Sequence, residues 1–246
     1  MMQQRNRLHS PTTRHGARLR AAVAAVAATA AVVAIAGCGS GDDGDTGTDG
    51  ARPLDTAAVP AQVTWRPYQG VQVPYSGVDG PTDNIASAAP TGYSHTPQGA
   101  VLAAIQGQTR LALAPDSSWA QTTTILVAAG AGRDSYAIAR AGASITAPAD
   151  PATTATFTGF RVTDYRDEQA DIELATTMPG GQLTSTAVTV LWRGEDWKIA
   201  LPAPETGGDS TTPDMGADAE WDAPAASDPV ALTSLDGFTA FSADTD

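Results

Sequence analysis

The sequence predicts an α+β fold, two or three N-terminal helices packed on a four-stranded antiparallel meander, and three observations predict it. Between residues 93 and 141 apolar side chains recur at helical spacing behind capping residues and helix breakers. Between 156 and 201 they alternate with polar ones in four runs parted by short turns. Charge confines the body to 61–204, which carries 12 acids and eight bases, whereas 205–246 carries ten acids and no base. A near-neutral interval between acidic flanks is the pattern of a folded core with solvated ends.

The chain opens with five arginines and no acid before residue 21, then 16 uncharged residues from Ala21 to Ala36. That is the order of an export signal. At about 1.5 Å per residue the run makes roughly 24 Å of helix, short of the roughly 30 Å of a bilayer core. It ends Ile35-Ala36-Gly37-Cys38, which resembles a bacterial lipoprotein box. The resemblance implies cleavage between Gly37 and Cys38 and acylation of that cysteine, the only one in the chain. Expected domains are therefore a signal peptide at 1–37, an acidic Gly-rich tether at 38–60, a single α+β domain at 61–204, and a largely disordered acidic tail at 205–246. A tether of this length reaches roughly 25 Å. The expected location is the extracytoplasmic face of the cell membrane.

From Ala61 to Gly80, Val63, Trp65, Val71 and Val73 alternate, but Pro67 and Pro74 restrict the stretch to short edge or extended pieces. Trp65 and Tyr75 there read as core cover. Thr96 can cap and Pro97 suits the first helical position, so a first helix is expected from Gln98 to about Gln106, extending to Leu113 if Gly107 is tolerated. Its small residues, Gly99, Ala100, Ala103 and Ala104, allow close approach of a neighbour. A second helix is expected over Ser118–Ala129 despite three consecutive threonines, and a third over Arg133–Ala141 with Tyr136 and Ile138 buried. Residues 147–151 read as a linker.

Strands are expected at Thr156–Tyr165, Gln169–Thr177, Thr184–Arg193 and Trp197–Leu201. The turns are Arg166-Asp167, Pro179-Gly180-Gly181 and Gly194-Glu195-Asp196. Val188, Val190 and Trp192 share one face; Asp171 and Glu173 alternate with Ile172 and Leu174, which points Asp171 to solvent. In the tail, Leu235 to Phe241 can dock back as a short strand.

The net charge of −13 and the absence of a basic stripe argue against nucleic acid as a partner. After the signal peptide the only histidine is His95, so a nucleophilic triad has no other base there, and one histidine with one acylated cysteine makes no metal centre without an all-carboxylate site. No catalytic residue, cofactor or metal is expected. The candidate binding surface is Tyr93, His95, Trp119, Trp192 and Trp197. His95 stands at a helix entry, where a local hydrogen bond fixing the turn before Pro97 is its plainer use.

The string Gly92-Tyr93-Ser94-His95-Thr96-Pro97-Gln98-Gly99-Ala100-Val101-Leu102-Ala103-Ala104 and the ending Val190-Leu191-Trp192-Arg193-Gly194-Glu195-Asp196-Trp197-Lys198 resemble an uncharacterised actinobacterial family of exported lipoproteins, some encoded near conjugative elements. The element order is also similar to the cystatin-like fold of nuclear transport factor 2, shared by TcpC-type conjugation components, which implies a curved sheet closing over the helices. Three functions follow as expectations. The first is a membrane-anchored binding or assembly protein of the envelope, with envelope proteins as partners and no catalysis. The second is a small-ligand carrier lined by the tryptophans. The third is an isomerase-type enzyme using Asp164, Tyr165 or Asp171.

Overall fold

The structure, a computed structural model, describes residues 54–204 and 228–241. The signal peptide with Gly37 and Cys38, most of the tether, and residues 205–227 and 242–246 of the tail lie outside the described residues.

An antiparallel hairpin comes first, β1 (Val63–Tyr68) and β2 (Val71–Ser76), forming a two-stranded sheet of its own. Its turn is Gln69-Gly70, both with positive φ (47° and 88°), the conformation that two-residue hairpin loops require. Pro67 and Pro74 are tolerated because no third strand flanks them. The helices are thus preceded by a sheet rather than N-terminal, a correction to the expected order.

Helix α1 (Pro97–Leu113) starts as the sequence predicts: Thr96 Oγ1 accepts from Gly99 N at 3.1 Å and Pro97 occupies the first turn. It runs through Gly107 because the missing Cβ leaves space for Ile199, whose Cγ1 would stand 2.4 Å from it. The hairpin covers one side of α1 and the large sheet the other. Even Gln106, Thr109 and Arg110 are therefore buried.

Helix α2 (Trp119–Leu126) is shorter than expected. Val127 turns extended and bridges Ile199, and Ala128 N donates to the Ile199 carbonyl at 2.9 Å, so the chain leaves the helix to cap a sheet edge. The threonines fit by bonding back along the helix, Thr123 Oγ1 to Trp119 O and Thr124 Oγ1 to Ala120 O. Helix α3 (Ala131–Ala141) buries Tyr136, but Ile138 is 78% exposed, contrary to expectation. Residues two apart on a helix point to nearly opposite sides, so both cannot face the core.

The four predicted strands are β3 (Thr156–Arg166), β4 (Gln169–Thr177), β5 (Leu183–Arg193) and β6 (Asp196–Ala200), joined as a meander. The sheet has six strands rather than four, because β7 (Val230–Leu232) pairs with β5 and β8 (Thr239–Ala240) with β3. Both extra strands come from the acidic C-terminal segment. Phe241 follows β8 into the core, its ring 5.5 Å from Trp65 and 5.2 Å from Phe160. The pairings between named strands are all antiparallel, the Val127–Ile199 bridge alone being parallel among the described residues, and bulges at Phe157/Gly159 and Val162/Asp164 interrupt the β3–β4 register.

The core lies between α1 and the sheet: Val101, Leu102 and Ile105 meet Phe160, Ile172, Leu174, Val188, Val190 and Ile199. Asp171 stands on the other face, as its alternation with Ile172 requires; its Oδ1 accepts from Thr189 Oγ1 at 2.6 Å and its Oδ2 from Gln169 Nε2 at 3.0 Å. Among the described residues no helix is long and apolar enough to cross a membrane.

Candidate functional site

Four of the five candidate surface residues meet at one corner, where the segment before α1 docks on the β5–β6 hairpin. The segment enters through Gly92, whose φ of +83° and close neighbours Thr82 and Asp83 leave no room for a Cβ. Its anchor is Asp196, the first residue of β6, which is only 6% exposed. Asp196 accepts from Gly92 N and Tyr93 N, both at 3.2 Å, and from Trp197 N at 3.0 Å. Lys198 Nζ stands 3.8 Å from the same carboxylate.

The next two residues continue the seam. Trp197 is 1% exposed and donates through its indole N–H to Ser94 O at 2.9 Å. The His95 imidazole stacks on Trp192, centroids 4.0 Å apart and planes 8° from parallel, with Trp197 edge-on at 5.5 Å. Its Nε2 hydrogen-bonds the Asp167 carbonyl in the β3–β4 turn. Tyr165 Oη closes the corner by donating to His95 O at 3.2 Å. Burial, and next the Asp167 charge, push the Tyr165 phenol above its ordinary range. Tyr93 lies deeper; full burial holds its phenol well above the usual value, with the Arg110 charge opposing.

The arrangement fixes chain segments to one another. The His95 ring nitrogen meets a backbone carbonyl, not a hydroxyl, thiol or carboxylate, so the geometry has none of the nucleophile–base pairing of covalent catalysis. The local bond expected at His95 is instead long-range, 72 residues along the chain. Trp119 does not join this corner: it packs beneath Arg140, 5.5 Å from the guanidinium carbon to the ring centre. The turn residues Arg166 to Gln169, with Leu191 and Arg193, line an open cleft of about 380 Å³ beside the corner.

The sheet face that would form a ligand cone is filled. Ala100, Val101, Ile105, Ile172, Leu174, Val188 and Val190 are 0–1% exposed there. Asp164 pairs across from Asp171, and Asp171 is on the opposite face, so neither carboxylate belongs to that interior. No group of three or more His, Cys, Asp or Glu side chains among the described residues is placed to hold a metal ion.

Asp196, read only as a turn residue, and Arg110, not singled out at all, are the residues that sequence reasoning passed over. The resemblance did carry a signal for the first, since the two strings quoted for it are the two halves of this seam.

The chain belongs to the family described as a domain of unknown function (DUF8175), whose profile matches residues 22–240. The matched range takes in Cys38, the acidic stretch that follows it, the body and the C-terminal strands. No curated protein and no solved structure matches the chain.

Proposed function

We propose that this protein is a lipid-anchored, extracytoplasmic binding or assembly domain of the cell envelope, built on a nuclear transport factor 2-like sheet and acting as an accessory to a conjugation apparatus. The observation that carries the reading is the filled concave face of the sheet. In a carrier or isomerase of this architecture the space between helix and sheet holds the ligand, whereas here α1 occupies it with side chains at 0–1% exposure. What remains is surface, presented at the end of a tether.

Anchoring comes from Cys38. An acylated cysteine with two or more chains holds a domain to a bilayer far more firmly than one chain does. The corner at His95 supplies a rigid, partly exposed aromatic edge next to the charged turn Arg166–Gln169, a surface suited to a protein partner.

Two measurements test the reading. Cys38→Ser should move the protein from the membrane to the soluble fraction and abolish metabolic acyl labelling; labelling that persists overturns the anchor. A photo-crosslinking residue at Arg193 or Glu168 should give one discrete adduct with an envelope protein in intact cells. A membrane-bound, folded protein that yields no adduct from either position counts against assembly.

A further inference from the structure

Alternation places Gly159, Ala175 and Ser185 on the outer face of the large sheet, away from α1, yet all three are buried. They are register partners across β3, β4 and β5, so three of the smallest residues fall in one lateral row. The C-terminal segment continues that row at both ends: Ser185 pairs with Val230 of β7 and Gly159 with Ala240 of β8. Residues 233–238 therefore pass from one edge to the other across the outer face, which accounts for the burial of the row. Along this path Phe238 packs on Arg161, the guanidinium carbon 4.6 Å from the ring centre. A Cβ on Gly159 would stand 2.9 Å from Thr239 O and 3.4 Å from Phe238 Cβ.

The segment is held at few points. Its strands are three and two residues long, Val230 is 61% exposed, and of residues 228–241 only Phe241 is buried. The hold concentrates on the edge of β3, which two phenylalanines grip from opposite faces. Phe238 lies outside on Arg161; Phe241 lies inside between Trp65 and Phe160, its N–H donating to Thr158 O at 3.3 Å. Segments with so little buried apolar surface open locally, below the free energy of global unfolding. Once opened, the main chain of β3 that β8 covers becomes an unpaired edge, a template for another extended chain.

We propose that residues 228–241 are a reversible strap over a strand-acceptor site, formed by Thr158–Phe160 of β3 and the socket between Trp65 and Phe160. Its ligand is an extended peptide segment with two aromatic residues three positions apart and small residues between them. Phe238-Thr239-Ala240-Phe241, which occupies the site in this chain, sets that pattern. Main-chain pairing supplies affinity and the aromatic positions supply specificity. A partner segment gains the site only by displacing the strap, so the strap sets the threshold for binding. The surface is separate from the corner at His95, which Tyr165 reaches from the other end of β3.

The test uses the full chain. Amide hydrogen exchange at 239–241 should proceed by local opening, about a hundredfold or more faster than in α1 and β4. Gly159→Ala, whose methyl meets Thr239 O, should speed it about tenfold further. A labelled peptide with the sequence of residues 228–241 should bind the Phe241→Ala chain saturably, read by fluorescence anisotropy. The same peptide carrying Phe241→Ala should bind about tenfold or more weakly, as should the intact peptide to the wild-type chain, whose own strap competes. If the Phe241→Ala chain fails to fold, Phe238→Ala replaces it, since that change also weakens the strap and leaves the socket intact. Exchange at 239–241 no faster than in α1 would show that the segment opens only with the whole domain, and overturns the proposal. So does a folded strap variant that takes up no peptide, or that takes up both peptides alike.

Discussion

Asp196→Ala is the sharpest probe of how this protein is held together. The carboxylate accepts three backbone N–H bonds at 3.0–3.2 Å while itself 6% exposed. Hydrogen bonds to a charged group are worth about 1.5–3 kcal/mol each, and an orphaned buried donor costs about 1–3 kcal/mol. The distances lie at the long end of the range and the three bonds share one acceptor group, so the lower values apply and do not simply add. A loss of about 4 kcal/mol follows for Ala, and about half of that for Asn, which keeps one acceptor oxygen. In a domain of this size that is a fall of about 8–16 °C in melting temperature for Ala. Urea unfolding followed by tryptophan emission reads it directly, because Trp192 and Trp197 form the wall against which the freed segment packs. A loss below about 1 kcal/mol would refute the claim that Asp196 anchors the seam.

Other perturbations test separate parts of the fold. Phe241→Ala should cost about 3 kcal/mol by emptying the space between Trp65 and Phe160, measured as a lower urea midpoint. Gly107→Ala should destabilise by about 1–3 kcal/mol despite the better helix propensity of alanine, because the new methyl meets Ile199 Cγ1 at 2.4 Å; a rise in melting temperature would show that Ile199 yields freely. The Asp116 carboxyl is held at about 2, below the usual carboxylate range, chiefly by its bond from Ser144, then by Ile145 N and Arg140. Its folded pKa is depressed, so its contribution is complete above the unfolded pKa and is lost as pH falls through about 2. Asp116→Asn should therefore flatten the acid limb of a stability–pH curve between those values and leave the neutral limb parallel.

Much of the fold is legible in the sequence because its signals are local. Thr96-Pro97 marks the start of α1, and the four meander strands show enough period-two alternation between clear turns that their boundaries fall within a residue or two of expectation, the bulges in β3 aside. The unread parts are those decided by distant partners. Strand β7 is three residues long, too short to show any period, whereas β8 falls inside the Leu235–Phe241 stretch expected to dock back as a short strand. Helix α2 ends early because the Ile199 backbone captures Ala128, which nothing in residues 118–129 announces. Gln106 and Arg110 look like the solvated side of an amphipathic helix until the hairpin covers them, with Gln106 Nε2 donating to Pro74 O at 2.8 Å. At the candidate site the aromatic residues were visible singly, but their grouping depends on Asp196, whose partners lie 103 and 104 positions away.

That dependence links the fold to the proposed role. The segment 92–95 uses its backbone, its imidazole and the Ser94 carbonyl to bind the β5–β6 hairpin and the β3–β4 turn together. Helix α1 starts directly from this seam and fills the sheet. Residues 55–58 are held close to this seam: Gln98 Nε2 donates to Asp55 O and Ala58 O at 2.8 and 3.0 Å and Thr239 Oγ1 to Ala57 O at 3.1 Å. Residues 55–58 are thus bonded to the first turn of α1 and to the C-terminal strand. Under the proposed anchoring a domain that holds a partner at the membrane surface needs such a connection, since a load entering at residues 55–58 would pass to the core through these bonds rather than through a free hinge. Gln98→Ala with Thr239→Val should leave the core stable within about 1 kcal/mol and increase hydrogen exchange at residues 55–60; unchanged exchange there would show that the tether's end is held by other contacts.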